Sequence, residues 1–240
     1  MVICIAFIGT GRYLNYLPNW YEHIMKNFLP DTQKQILVFT DGELEDIPEN
    51  VSIYKIPHKP WPYITLERFE TLALAKSEIL SYDNFVFLDA DTLVLNKISE
   101  VEIFDTREVL FGVHHPCHFM KMEPHTQWPG AFETNSQSTA YVSESDNPLV
   151  YFQGCFWGGF NTSVMNMIEQ LAENVKLDLS KNIIATWHDE SHLNNYFTLN
   201  RNSVRVLGPE YAYPEVFSQY CTFAPKIVHL AKDNSRYHSI

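Results

Sequence analysis

The sequence predicts an α/β protein, a mostly parallel, Rossmann-like sheet flanked by helices. Three features of the 240-residue chain carry that expectation. Several short runs are apolar at every position, as strands buried on both faces of a parallel sheet must be. Segments with helical spacing of apolar residues alternate with those runs. No repeat or low-complexity stretch interrupts the alternation.

In chain order, Val2–Ile8 is the first apolar run, and Gly9-Thr-Gly-Arg-Tyr13 breaks it. A helix is predicted over 20–28, after Pro18. Residues 35–41 predict a second strand, closed by the turn signal Asp41-Gly42, and 51–56 a third. Residues 65–80 predict one helix, with Thr65 as N-cap and Leu66, Phe69, Ala73 and Leu80 on its apolar face. Phe85-Val-Phe-Leu88 is another buried strand, and 109–113 one more. Residues 151–159 predict a strand running into Gly158-Gly159, followed by a helix over 162–172. A further helix is expected over 187–199. Residues 118–147 are polar and weakly patterned, an insertion or loop.

The length suits one large α/β domain or two small fused lobes. Apolar residues at 45% suffice for a core, and aromatics at 14% also offer faces on which sugars and bases stack. A formal charge of −12 with no basic face argues against nucleic acid. The acidity aids solubility or gathers carboxylates around a cation. Cys4, Cys117, Cys155 and Cys221 form no C-x-x-C pair, which argues against a zinc knuckle. Cysteines scattered in this way suit a reducing cytosol. The N-terminal apolar run is too short to span a membrane and has no basic segment before it, so no membrane span or signal peptide is expected.

The most informative motif is Phe87-Leu88-Asp89-Ala90-Asp91. Residues two apart in an extended chain point to one side. Both carboxylates can then face one point beyond the carboxyl end of a strand, the edge where open α/β sheets bind ligands. A hard divalent cation shared with diphosphate oxygens fits there, and would neutralise charge on a leaving nucleoside diphosphate. The plain alternative is an Asp-rich surface turn. A phosphatase with an Asp nucleophile fits less well, because its D-x-D-x-[TV] pattern meets Leu93 and the motif lies far from the N-terminus.

The second motif is Trp187-His-Asp-Glu-Ser-His-Leu-Asn-Asn-Tyr-Phe197. Glu190, Leu193 and Phe197 share a helix face. If Leu193 and Phe197 point to the core, Glu190 is carried into a cleft, where a partly buried carboxylate can act as base or nucleophile. The alternative is a capping cluster with Asp189 as cap. His188 and His192 lack the H-E-x-x-H arrangement, so zinc is not expected.

With these segments the chain resembles glycosyltransferase family 6, which includes the histo-blood-group A and B transferases and the α1,3-galactosyltransferases. Leu110-Phe-Gly-Val-His-His-Pro-Cys-His-Phe119 is similar to the family's L-F-G-x-x-H-P-G-F-Y. Phe132-Glu133, Ser138 and Ala140-Tyr141 resemble Y-E-x-x-x-x-S-x-A-Y. Tyr151-Phe-Gln-Gly-Cys-Phe-Trp-Gly-Gly159 resembles Y-Y-x-x-x-x-F-G-G. Trp187-His-Asp-Glu-Ser-His-Leu193 is similar to W-H-D-E-S-H-L without a change, and Pro209-Glu-Tyr211 resembles P-E-Y. The ordered set runs from the first strand to the C-terminus.

The resemblance implies a GT-A fold in one domain over 1–240, with 1–100 mainly binding the nucleotide and 101–240 mainly binding acceptor and catalysing. It implies a retaining transferase that moves a hexose from a UDP-sugar to a carbohydrate acceptor in an α1,3-type linkage. Asp89 and Asp91 would bind Mn²⁺ (Mg²⁺ being the alternative) and, with Ala90, the UDP diphosphate. Some bacterial relatives carry Asn at both Asp positions and need no metal; this chain keeps both Asp, so metal dependence is expected. Ile8, Thr10 and Tyr13 would hold uridine, Tyr13 stacking on uracil. Arg68 would contact the donor sugar and the carboxylates, and Asp189 the sugar hydroxyls. Glu190 would be the nucleophile, or would stabilise oxocarbenium-like charge in a same-face displacement. His115 and Trp187 would bind acceptor, with 118–147 as one wall. Lys232 and Arg236 would close over the diphosphate. The plain alternatives are a core Tyr13, a solvated Arg68, a structural His115 and a frayed basic C-terminus.

Two departures from the family pattern matter. Cys117 and His118 replace Gly and an aromatic, so the acceptor pocket differs. Gln153, Gly154 and Cys155 occupy the triplet that shapes the space around the sugar's 2-substituent. Cys155 in place of Gly favours a 2-hydroxyl, hence UDP-galactose over UDP-N-acetylgalactosamine, while the unusual Gln153 admits UDP-glucose. The mammalian members carry a membrane anchor and stem that are not read here, so a bacterial or viral cytoplasmic enzyme is expected. A UDP-sugar hydrolase and a non-catalytic sugar- or nucleotide-binding module are the rival readings; intact Asp89, Asp91 and Glu190 argue against the second.

Overall fold

The computed structural model describes residues 1–104, 109–120 and 131–233. Ten strands are found among them: β1 Val2–Ile8, β2 Gln33–Thr40, β3 Val51–Lys55, β4 Asn84–Leu88, β5 Thr92–Val94, β6 Leu110–His114, β7 Phe152–Phe160, β8 Val204–Leu207, β9 Tyr213–Pro214 and β10 Ile227–His229. Seven form one sheet in the order β3-β2-β1-β4-β7-β6-β8. Within it β7 alone runs against its neighbours, β4 and β6. The other pairs are parallel. This is the expected α/β architecture, a mostly parallel sheet with helices packed on it, consistent with a GT-A fold.

The continuous apolar runs are explained by burial on both faces. Along β1, Ile3, Ile5 and Phe7 join one hydrophobic cluster and Cys4 and Ala6 join the other. The same alternation places Val86 and Leu88 of β4 on one side and Phe85 and Phe87 on the other. The first face is covered by α1 (Leu17–Asn27) through Trp20 and Ile24. Five short helices follow α1 among the described residues: α2 Tyr63–Leu66, α3 Arg68–Ala73, α4 Lys76–Ile79, α5 Glu100–Ile103 and α6 Pro116–Phe119. The second face is covered by α3 and by α7 (Asn161–Ser180), through Phe69, Leu72, Val164, Ile168 and Leu171. The last helix is α8 (His188–Leu199).

The single helix expected over 65–80 is corrected to three short ones. The backbone leaves helical geometry at Glu67 (φ −92°, ψ 20°) and at Ala75 (φ −96°, ψ 17°). Thr65 lies inside α2, whose N-cap is Pro62. Leu80, assigned to the apolar face, is exposed. The helix after β7 continues to Ser180, past the expected end at 172. Strands β5, β8, β9 and β10 were not expected; at two to four residues they are too short to show a period.

Two features position the site. Strands β5, β10 and β9 form a small sheet, and β5 begins immediately after Asp91. On the large sheet, the register between β6 and β7 jumps from Gly112↔Trp157 to Val113↔Gln153, a bulge that takes Gly154, Cys155 and Phe156 out of that ladder.

Candidate active site

Asp89 and Asp91 lie just beyond the carboxyl end of β4. The turn that holds them is internally fixed: Asp89 N–H donates to Cys155 O at 2.9 Å, and Thr92 Oγ1 donates to Asp89 O at 2.6 Å. The first residue of α3, Arg68, reaches across to this turn. Its Nη2 is 2.9 Å from Asp89 Oδ1 and its Nη1 is 2.8 Å from Asp189 Oδ2. Nη1 also donates to Gly154 O at 2.9 Å. The buried guanidinium stands 4.3 Å from the centroid of the Phe87 ring. The planar fork of arginine suits three acceptors at once.

Helix α8 supplies the other carboxylates. His188 at its start has φ +53°, a strained value for a residue with a side chain. The N-cap residue is Trp187; Asp189, the expected alternative cap, pairs with Arg68 instead. Glu190 Oε2 accepts from Gly154 N–H at 2.7 Å, and its Oε1 accepts from Tyr151 Oη at 2.9 Å. The bulge in β7 thus releases both backbone groups of Gly154, and Glu190 and Arg68 satisfy them. Asn194, one turn along, clamps the helix to the strand. Its Oδ1 accepts from Phe152 N–H at 2.7 Å and its Nδ2 donates to Phe152 O at 2.8 Å. Leu193 and Phe197 are buried in the core, as their spacing required.

Burial raises the pKa of both α8 carboxylates to about 7. For Asp189, Arg68 opposes the shift and Asp89 adds to it; for Glu190, the bonds from Gly154 and Tyr151 oppose it. Burial also raises Asp89, against Arg68. Asp91 goes the other way: burial works against its charge, but His229 and Lys232 outweigh it and hold the carboxyl below its ordinary value. His229 Nε2 lies 3.1 Å from Asp91 Oδ1, and Lys232 Nζ is hydrogen-bonded to Asp91 Oδ2. Lys232 Nζ also stands 4.8 Å from the centroid of the Tyr13 ring. Asp89, Asp91 and His229 offer one donor atom each, all within 4.8 Å of one another. Two carboxylate oxygens and an imidazole nitrogen fit a divalent cation.

Two adjoining cavities of about 400 and 390 Å³ meet at Thr65, Arg68, Asp89, Trp187 and His229. The second contains Ile8, Thr10, Tyr13, Ala90, Asp91 and Lys232. The first contains His115, Gln153, Gly154, Cys155, Asp189 and Glu190. Each residue assigned to catalysis, donor, acceptor or metal therefore lines one cavity or the other, except Arg236, which lies outside the described residues. The stretch 118–147, expected as an acceptor wall, contributes no lining residue among the described ones, and 121–130 of it lie outside them. His115 is buried at the N-cap of α6, where its Nδ1 accepts from Cys117 N–H at 3.2 Å; burial, with His118 nearby, lowers its pKa to about 3.

Other lining residues were not read from the sequence. His58 and Trp61 face the second cavity, with His58 Nδ1 2.9 Å from Thr10 Oγ1 and the Trp61 ring 4.9 Å from that of His188. Pro214, Val216 and Phe217 close the first. His229 borders both. These residues carry no local spacing signal; only the fold collects them.

Fold and site together define a glycosyltransferase that uses a nucleotide sugar. The sequence model of glycosyltransferase family 6 matches residues 1–238, and the chain belongs to that family. It is 28% identical over 221 residues to O-antigen biosynthesis glycosyltransferase WbnI of Escherichia coli, covering 91% of each chain. It is 26% identical over 224 residues to globoside alpha-1,3-N-acetylgalactosaminyltransferase 1 of Homo sapiens, covering 90% of this chain and 62% of that one. It is 25% identical over 239 residues to histo-blood group ABO system transferase 2 of Rattus norvegicus, covering 95% and 68% respectively. Among the described residues no helix is long and apolar enough to cross a membrane.

Proposed function

We propose that this chain is a retaining, cation-dependent hexosyltransferase that moves galactose from UDP-galactose to a carbohydrate acceptor in an α1,3 linkage. The observation that carries the reading is the meeting of two cavities at Arg68 and Asp89, with Glu190 on the wall of the first and Tyr13 and Asp91 on the wall of the second. Uridine fits against Ile8, Thr10 and Tyr13, and the diphosphate fits beside Asp89, Ala90 and Asp91. A cation held by the two carboxylates, Mn²⁺ by preference or Mg²⁺, supplies neutralisation of charge on the diphosphate. Lys232 stands where it can add a second positive charge, and Arg236 is assigned to the same tail. In this division residues 1–100 serve mainly the nucleotide and 101–240 mainly the acceptor and catalysis.

Arg68 and Asp189 orient the hexose, and Glu190 faces its anomeric carbon. In a double displacement a Glu190 oxygen bonds to that carbon while the bond to the diphosphate oxygen breaks and its electron pair leaves with UDP. An acceptor hydroxyl then displaces Glu190, passing its proton to a phosphate oxygen of the departing UDP while the electron pair of the broken bond returns to the carboxylate, and two inversions retain configuration. In a same-face displacement Glu190 instead stabilises positive charge on the sugar. His115 and Trp187 are assigned to the acceptor. Cys155 narrows the space beside Gly154, which supports a 2-hydroxyl over an N-acetyl group. Gln153 Oε1, buried without a hydrogen-bond partner, is suited to accept from a sugar hydroxyl. The four free cysteines are compatible with a cytoplasmic site.

The test is a panel of UDP-sugars with Mn²⁺ or with EDTA, with and without oligosaccharide acceptors, followed by UDP release. Mn²⁺-dependent release, fastest with UDP-galactose and stimulated by an acceptor, is expected. Undiminished turnover in EDTA would overturn the cation assignment, and release that no acceptor stimulates would make the protein a hydrolase.

A further inference from the structure

We propose that His229 is a third protein ligand of the cation, and that its nitrogen makes the site favour Mn²⁺ over Mg²⁺. The inference rests on the cation-dependent reading above and deepens it. The chain places His229 far from the Asp pair in sequence, and the small sheet brings it back. Strand β10 pairs antiparallel with β5 in the register His229↔Thr92, so His229 stands opposite the residue after Asp91. Leu230 N–H donates to Asp91 O at 2.8 Å and locks that register beside the carboxylate. The imidazole is therefore held by backbone ladders on a rigid element, as a preorganised ligand should be.

The side-chain geometry agrees. His229 Nε2 is a buried nitrogen without an aligned hydrogen bond, although it lies 3.1 Å from Asp91 Oδ1. Metal–donor bonds of about 2.0–2.3 Å put neighbouring ligand atoms about 2.8–3.3 Å apart and opposite ones about 4.0–4.6 Å apart. The 3.1 Å separation matches a neighbouring pair, and all three donor atoms lie within 4.8 Å of one another, close enough to converge on one ion. His229 lines both cavities, so an ion beside it also borders the space assigned to the diphosphate. Mg²⁺ prefers an all-oxygen shell, and an imidazole nitrogen shifts preference towards transition metals.

The experiment uses the full chain with Mn²⁺ and UDP, and reads the ion rather than turnover. Electron spin-echo modulation of bound Mn²⁺ should show a directly coupled nitrogen, and ¹⁵N-histidine labelling should change the coupling. His229→Gln should abolish that signal and weaken Mn²⁺ at least about tenfold while changing Mg²⁺ less, with thermal unfolding of the variant confirming that it folds. Bound Mn²⁺ with no nitrogen coupling in the unaltered protein would sink the His229 assignment and leave the cation reading standing. No Mn²⁺ binding at all, with or without UDP, would sink both.

Discussion

The backbone N–H of Gly154 donates to Glu190 Oε2 at 2.7 Å, so the carboxylate that lines the first cavity is aimed by a strand and not by its own helix alone. Space at this contact is short. A Cβ on Gly154 would stand 3.3 Å from Glu190 Cβ and 3.4 Å from its Oε2. Gly154→Ala should therefore push the carboxylate aside by a fraction of an ångström. We expect kcat to fall about 10- to 100-fold with little change in UDP affinity, measured by steady-state kinetics and calorimetry. Unchanged kcat would show that the aim of Glu190 does not matter.

Glu190→Gln should keep UDP binding and lose nearly all turnover. It should also reveal the cost of burying the charge. In the folded protein Glu190 titrates at about 7 against an ordinary value of 4.5, so between those values the folded state binds more protons than the unfolded one. Stability from this group is complete below about pH 4.5 and is lost as pH rises through about 7. Glutamine escapes that loss. In metal-free protein the variant should gain melting temperature relative to the parent, by a few degrees at pH 8 and by less at pH 5. A gain that is larger at pH 5 would contradict the assignment.

Arg68 compensates two buried carboxylates, Asp89 and Asp189, and also caps Gly154 O. Arg68→Met leaves both acids without their cation. A loss of about 3–5 kcal/mol of stability is expected, a drop of about 6–20 °C for a chain of this size. Arg68→Lys keeps the charge but lacks the fork, so it should fold and still bind the donor more weakly. Thermal melts and UDP-sugar titrations separate the two.

Asn194 makes strand-like hydrogen bonds to both backbone groups of Phe152, and its Nδ2 also donates to Glu190 O at 2.9 Å. Asn194→Leu removes the partners of a buried backbone N–H and C=O. We expect about 1–3 kcal/mol of destabilisation and a loss of kcat, because the start of α8 is no longer fixed to β7. Stability lost with kcat intact would mean that Glu190 is positioned by other contacts.

Asp91→Asn should weaken UDP binding mainly when Mn²⁺ is present, since Asp91 is the more buried of the two acids and holds its charge well below the ordinary carboxylate range. Isothermal titration with UDP, with and without Mn²⁺, tests this. An equal loss in both conditions would point to a structural role through His229 and Lys232.

Local pattern was enough to read the strands buried on both faces, because their apolar runs cannot be solvated, and the acidic turn after Leu88, because a strand end is itself a local event. It was also enough to place Glu190 with Leu193 and Phe197 on one face of α8, since 3.6-residue periodicity is a property of the chain. The break in the predicted helix over 65–80 was not legible. Nothing in Glu67 or Ala75 forbids helix, and the kinks that bring Arg68 to the start of α3 are resolved only by packing and by its pairing with Asp89 and Asp189. The joining of Asp91 to His229 and the release of Gly154 by a bulge were equally hidden. They depend on register between segments distant in sequence, on a three-residue strand too short to show a period and on a one-sided slip in a ladder. The sequence by itself determined which residues carry charge, which apolar runs become buried strands of the large sheet, and the final helix that presents Glu190. The tertiary structure alone decided which of those charges share a cavity, because that is set by the closure of sheets and not by the chain's local preferences.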